Sequence, residues 1–333
     1  MPNQMTPPEL STINSLSGDQ AHIEKPWYIL GAGAIGSLWA TKLLAQNIPC
    51  TILSRHADNN CDSPSLETIT VTHLDNSENA YSVAVQPSNS RSIKPIDKLI
   101  VCTKSYQTVQ AIESIRQHIS DNAIILLLQN GMGQHEQVAQ LLAKQYVIAG
   151  TTTQGALLVD ARSVRHTGAG SALFGYWRTE QQKNINNHQQ VFKQLTAIGM
   201  QYHQHIQQVL WDKLAVNCVI NPLTAIYNCR NGALNNENDI LQHATSIANE
   251  VDLISQALGF YNPANSTLQR ALEVAHLTAQ NYSSMQQDIE HQRKTEIAFI
   301  NGYLQAQAQQ LNIDCPYNDS VIRQVSQLES TFR

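Results

Sequence analysis

A chain of 333 residues exceeds what one hydrophobic core usually supports, so two units of ordinary size, each with a sizeable core, are expected. Its 21 Lys and Arg are scattered against 26 acids, giving a net charge of -5 and a pI near 6.2, which excludes a basic stripe for nucleic acid. Charged residues make up only 14%, against roughly 25% in ordinary domains, so an anionic ligand must be gripped by a few well-placed cations.

Residues 1–25 are polar and rich in Pro, Ser and Asn, with no apolar run of the kind a signal peptide needs, and are expected to form a flexible extension. No later stretch approaches the roughly 20 apolar residues of a membrane span. The six cysteines show no C-x-x-C spacing and mostly sit in apolar runs, which suits reduced thiols without zinc or disulfides and a cytoplasmic location.

The apolar run Trp27 to Leu30 leads into Gly31-Ala32-Gly33-Ala34-Ile35-Gly36 and then a helical pattern at Leu38, Thr41, Lys42 and Ala45. A G-x-G-x-x-G between strand and helix is the context a dinucleotide pyrophosphate requires. Gly31 permits the tight turn, Gly33 lets the backbone approach phosphate, and Gly36 lets helix pack on strand, with free helix-start N–H groups facing the anion. Arg55 follows the second strand, Cys50 to Leu53, 19 residues after Gly36. An NAD site would carry an acid near there, whereas a guanidinium grips a 2′-phosphate, so the position favours NADP(H) over an ordinary solvated arginine.

Glu67 to His73 and Tyr81 to Val85 alternate in the manner of a hairpin. Lys98 to Cys102 and Ala123 to Leu128 are short apolar runs, each opening a loop and a helix. Ligands bind at the carboxyl ends of such strands, which places Lys104, Gln107 and Asn130 in the crevice of the glycine turn; alternatively Asn130-Gly131 is a plain turn and Lys104 an exposed loop cation. The glycine-broken stretch from Tyr146 to Trp177, which includes Gly155, is strand-like and reads as the far, partly antiparallel edge of the same sheet. A helix from about 185 to 198 and a strand from Met200 to His203 complete residues 26–204 as a dinucleotide-binding domain with a mostly parallel, Rossmann-type sheet. Helical periodicity then takes over across 205–333, with turns at Asn231-Gly232, Asn262-Pro263 and Cys315-Pro316, predicting an all-α C-terminal domain.

Two helical stretches carry unusual polar residues. Lys213, Asn217 and Asn221 stand four apart and share one face amid apolar neighbours. A lysine in such surroundings needs a compensating partner; alternatively the face is solvated and Asn221-Pro222 ends the helix. In the second stretch, Ser283 to Ile297, a continuous helix brings Ser284, Asp288 and Glu296 within about a third of its circumference. The competing reading makes Ser283 or Ser284 an N-cap and the acids an ordinary exposed face.

Taken together, GAGAIGS, CTKSYQ, QNGMG, KLAVNCVINPLTAI and SSMQQDIEHQRKTEI occur in an order and spacing that resemble the ketopantoate reductase (2-dehydropantoate 2-reductase) family from about residue 26 to the C-terminus. The resemblance implies NADPH-dependent reduction of 2-dehydropantoate to (R)-pantoate, a step of pantothenate and coenzyme A biosynthesis. It implies Lys213 as catalytic acid and Glu296 as a substrate-orienting carboxylate that also meets cofactor. Asn130, Asn217, Asn221, Asn231 and Ser284 are implied as substrate contacts. The six residues Gly31 to Gly36, with Arg55, Lys104, Gln107, Asn130 and Gly155, are implied as cofactor contacts. No metal is implied, and a homodimer is compatible with the family. Gln154 stands where many relatives carry His. The rival readings are a related NADP-dependent 2-oxo or 3-hydroxy acid dehydrogenase, and an NADP(H)-sensing regulator without turnover.

Overall fold

The computed structural model describes residues 24–55, 63–261 and 264–332; the extension before residue 24, Cys61 and the turn at Asn262-Pro263 lie outside them. Trp27–Leu30 (β1) is buried at all four positions, as a strand covered on both faces must be. Ala34–Ala45 (α1) carries the chain over to Cys50–Ser54 (β2), which pairs with β1 in parallel. Ser65–Thr72 (β3) and Glu78–Pro87 (β4) form the expected hairpin, with β4 parallel to β2. On the other side of β1 follow Ile96–Val101 (β5), Ser105–Ile115 (α2), Ile119–Leu127 (β6), Gln134–Leu141 (α3) and Tyr146–Thr152 (β7). The six parallel strands run β4-β2-β1-β5-β6-β7, the doubly wound order that opens a crevice at the carboxyl ends beside β1.

The expectation that everything from Tyr146 to Trp177 forms the far edge holds only in part. Gly155–Asp160 (β8) and Ser163–Gly168 (β9) leave the end of β7, pass across α1 and join the opposite edge, where β9 pairs with β3. Leu38 of α1, Val71 and Val164 close into a small apolar cluster there, and Arg162 pairs with Glu67. The hairpin thereby covers an otherwise bare strand edge. Alternation in sequence identifies the faces of a strand and says nothing of its neighbour. Ala172–Tyr176 (β10) does lie against β7, antiparallel. A 3₁₀ stretch, Thr179–His188, precedes Gln189–Ala197 (α4), and Gln201–Tyr202 (β11) ends the sheet.

Among the described residues from Ile206 onward every regular element is helical: Ile206–Ile226 (α5), Ala233–Asn236 (α6), Asn238–Leu258 (α7), Thr267–Leu277 (α8), Ser284–Glu290 (α9), a 3₁₀ turn at Ile297–Phe299, Asn301–Leu311 (α10) and Pro316–Glu329 (α11). Of the 21 residues of α5, 14 are buried, so this helix must be enclosed, and it packs against α7, α8, α9, α11 and β7. One continuous core joins Leu99, Leu127 and Val147 of the sheet to Trp211, Leu214, Val251, Leu304 and Val325 of the helices.

The helix does not stop at Asn221-Pro222; it runs through the proline. Pro222 has no N–H for the Cys218 carbonyl four residues back, and the fully buried Asn301 Nδ2 takes that place at 2.9 Å. Asn301 also donates to Asn318 Oδ1 at 2.9 Å, and Asn318 N and Nδ2 each donate to Glu250 Oε2 at 2.8 Å.

Candidate active site

The turn after β1 is built as its glycine spacing requires. Gly31 has φ +109°, and a Cβ there would stand 3.0 Å from the backbone of Cys102 and Thr103. A Cβ on Gly36 would meet the Gly31 carbonyl oxygen at 2.0 Å, so α1 and β1 approach only because it is missing. Gly33, at the N-cap of α1, is exposed and has open space where its Cβ would project. Ala34 and Ile35 begin the helix behind it, so the first N–H groups of α1 face a cleared cradle that fits a pyrophosphate. Ala32 is part-buried between the glycines, and Arg55 is exposed directly past the end of β2.

Lys104 is the N-cap residue of α2, and Gln107 sits half-buried in its first turn. Glu296 comes from the helical half, is 5% exposed, and caps α2 from outside: its Oε1 accepts from Ser105 N at 2.9 Å and from Ser105 Oγ at 2.6 Å. A carboxylate at a helix N-terminus is favoured by the aligned peptide dipoles. Ser105 Oγ also contacts the Asn130 carbonyl oxygen. Lys104 Nζ lies 2.5 Å from Asp288 Oδ2 and 3.7 Å from Glu296 Oε2, and Arg293 Nε is 3.3 Å from Asp288 Oδ1. Burial works to lower the Lys104 pKa, but the two carboxylates outweigh it and hold the ammonium above its ordinary value. Burial pushes Asp288 up against the opposing pull of Lys104 and Arg293. The loop after β6 is latched to the same segment. Gly131, at φ +81°, has the Phe299 carbonyl oxygen 2.3 Å from where its Cβ would be, and Met132 N donates to that oxygen at 2.8 Å.

Ser284, Asp288 and Glu296 do not share one helix. α9 ends at Glu290, Gln292 takes φ 51°, and Glu296 arrives from an irregular segment leading into the 3₁₀ turn. Of the alternative, the cap holds, since Ser283 Oγ accepts from Gln286 N at 3.0 Å, but the exposed face does not, since Asp288 and Glu296 are buried; Ser284 is exposed.

Lys213 of α5 reaches the end of β7, where its Nζ donates to the Thr152 carbonyl oxygen at 2.9 Å. Burial pushes its pKa down to about 8, with the Glu296 charge opposing. Asn217 is half-buried and Asn221 buried along the same face. Asn231 is buried; its Nδ2 donates to Thr278 Oγ1 at 2.9 Å, and its Oδ1 has no partner among the described residues. Gly155 packs its Cα side against Thr167 and Gly168, a reason for glycine that lies in the β8–β9 hairpin. Gln154 Nε2 donates to the Gly170 carbonyl oxygen at 3.2 Å. Sequence reasoning missed Ser105 and the Thr152 carbonyl. Ser105 had a signal, a hydroxyl at the start of a helix beside Lys104, while the carbonyl had none. Among the described residues no group of three His, Cys, Asp or Glu could hold a metal ion, and no helix is long and apolar enough to cross a membrane.

A glycine-turn crevice on a doubly wound sheet, faced by a lysine and a carboxylate from a helical cap, defines a nicotinamide-dinucleotide oxidoreductase for a small polar substrate. The chain belongs to the ketopantoate reductase PanE/ApbA family: the family profile matches residues 27–179, and that for its C-terminal region matches 205–329. A 2-dehydropantoate 2-reductase of Vibrio cholerae serotype O1 is 34% identical over 309 residues, 91% of this chain and 98% of that protein. D-mandelate dehydrogenase, solved with NADH and anilino(oxo)acetate, shares the fold at TM-score 0.81 and 20% identity, covering 92% of this chain and 99% of its own. A dimeric ketopantoate reductase from Staphylococcus aureus shares it at TM-score 0.74 and 20% identity, over 93% of this chain and 100% of its own.

Proposed function

We propose that this chain reduces 2-dehydropantoate to (R)-pantoate with NADPH in the cytoplasm, as a homodimer, residues 26–204 holding the nucleotide and 205–333 the substrate. The observation that carries the reading is that Lys213 reaches the carboxyl end of β7 while Glu296, from another part of the helical half, caps the helix that follows β5, near enough for its charge to act on the lysine. NADPH, when bound, supplies hydride for the keto carbon. Gly31 to Gly36 would hold its pyrophosphate, Arg55 its 2′-phosphate, and Lys104, Gln107, Asn130, Gly155 and Glu296 would line the rest of its path.

Lys213 is the proton donor to the developing alkoxide, and its ammonium stabilises that negative charge as it forms. A lysine brought to about 8 is still mostly charged at neutral pH and gives up its proton more readily than an ordinary one. Glu296 accepts from the substrate hydroxyl through Oε2, since Oε1 is engaged by Ser105. Asn130, Asn217, Asn221, Asn231 and Ser284 hold the substrate carboxylate and hydroxyl without bringing a second charge, and the unpartnered Oδ1 of Asn231 supports that role. The test is NADPH oxidation by the purified protein with 2-dehydropantoate and a panel of other 2-oxo acids, each repeated with NADH. Faster turnover of an aryl or unbranched 2-oxo acid would assign it instead to a related dehydrogenase. Binding of NADPH without turnover of any would assign it to a regulator.

A further inference from the structure

Residues 291–296 belong to no regular element, yet Thr295 and Glu296 are 2% and 5% exposed. A buried irregular segment has to be held by groups from elsewhere, because its own backbone bonds are not closed by a ladder or a helix. Arg293 N donates to the Asp288 carbonyl oxygen at 2.7 Å, and Tyr106 Oη donates to the Lys294 carbonyl oxygen at 3.2 Å. Glu296 itself is fastened to Ser105. The remaining hold comes from the far end of the chain: Glu329 Oε1 accepts from Thr295 N at 2.7 Å and from Thr295 Oγ1 at 2.6 Å. Glu329 is the last residue of α11, where the peptide dipoles disfavour a negative charge. A residue that breaks a local rule is expected to serve something outside its own helix.

We propose that Glu329 is a positioning residue which, through Thr295, sets the place of the Glu296 carboxylate in the crevice. The proposal rests on the reading of Glu296 as the substrate-orienting group. Glu329 fixes the peptide that enters Glu296 and Ser105 fixes the carboxylate that leaves it, so the side chain is defined at both ends. Without Glu329, the buried amide and hydroxyl of Thr295 lose their acceptor, and the segment relaxes toward other partners.

The test is steady-state kinetics of the full chain with NADPH and 2-dehydropantoate for Glu329→Ala and Glu329→Gln, in the wild-type and Glu296→Ala backgrounds. Misplacement by about 1 Å costs up to about 10²-fold, so Glu329→Ala should lower kcat/KM for the 2-oxo acid by roughly 10-fold, with the NADPH KM unchanged. Glu329→Gln keeps an acceptor oxygen and should stay within about 3-fold of wild type. In the Glu296→Ala background, adding Glu329→Ala should cost less than about 2-fold, because the group it positions is gone. Wild-type kcat/KM in Glu329→Ala, or the same loss with and without Glu296, overturns the proposal. Should Glu329→Ala fail to fold, Thr295→Val takes its place with an expected loss of about 3-fold that likewise disappears without Glu296. If Glu296→Ala is itself as active as wild type, the reading of Glu296 falls and this proposal with it. If Glu296→Ala is impaired and Glu329→Ala is not, only this proposal falls.

Discussion

Removing the Lys213 ammonium tests the chemistry most directly, because the structure sets the pH at which the effect is felt. Burial brings this side chain to about 8, against the opposing charge of Glu296. At a pKa of about 8, some 90% of the side chain is ammonium at pH 7 and about 10% at pH 9, whereas an ordinary lysine stays above about 95% charged at both. A proton donor of this kind makes log kcat/KM fall with unit slope above pH 8, losing about 10-fold by pH 9. In Lys213→Ala the donor is gone: kcat at pH 7 should drop by about 10² to 10⁴, the NADPH KM should stay within about 2-fold, and the break should vanish. Glu296→Gln removes the charge that raises the lysine, so the break should move to lower pH. NADPH oxidation across pH, repeated with NADPH deuterated at the transferred position, measures the break and shows whether hydride transfer limits the rate. A profile flat to about pH 10, or a Lys213→Ala enzyme that keeps most of its kcat while showing an isotope effect, refutes the assignment.

Three further outcomes are expected. Arg55→Ala should raise the NADPH KM by roughly 10- to 150-fold, the loss of a charged hydrogen bond, and leave NADH nearly untouched; equal use of both cofactors by the wild type refutes the 2′-phosphate role. Gly36→Ala should abolish folding or nucleotide binding, because its Cβ would stand 2.0 Å from the Gly31 oxygen, whereas Gly33→Ala should keep the wild-type Tm and weaken NADPH, as titration calorimetry can show. His135 is fully buried and stacked on Trp177, with neither ring nitrogen partnered among the described residues, and burial lowers its pKa to about 3. The unfolded chain takes up a proton at His135 below about pH 6.5 while the folded one does not until about 3, so stability falls as pH drops through that window, by up to about 1.4 kcal/mol per unit. Urea unfolding at pH 5 and pH 7 should show this contribution vanishing in His135→Phe; an unchanged pH dependence counts against it.

The crevice was legible because its parts are local. A glycine spacing, an apolar run leading into the Lys104 loop and another leading into the Asn130 loop each report their own turn. The two amides and the lysine that one helix carries were legible together, and α5 does carry Lys213, Asn217 and Asn221. Glu296 was named but reached by the wrong path. His291 to Glu296 contains neither Gly nor Pro, so periodicity continues the helix, and what stops it is a left-handed Gln292 together with bonds from Tyr106, Glu329 and Ser105. Those partners are distant in sequence and leave no local trace. The β8–β9 hairpin failed for the same reason, since its pairing with β3 depends on the outer surface of α1.

The amide that replaces the missing proline donor acts as an index pin between α10 and α5. A one-residue slip of α10 would carry Asn301 about 1.5 Å along its axis and about 100° around it, out of reach of the Cys218 carbonyl. Both buried groups would then stand unsatisfied, at about 1–3 kcal/mol each, with the bond to Asn318 lost as well. Apolar contacts resist sliding by degrees, whereas this pin accepts one setting and rejects its neighbours. The helix that carries Lys213, Asn217 and Asn221 is therefore held at a single axial position, and the leucines and valines around it can be exchanged for others of similar volume without moving it, as long as Asn301, Asn318 and Glu250 stay in place.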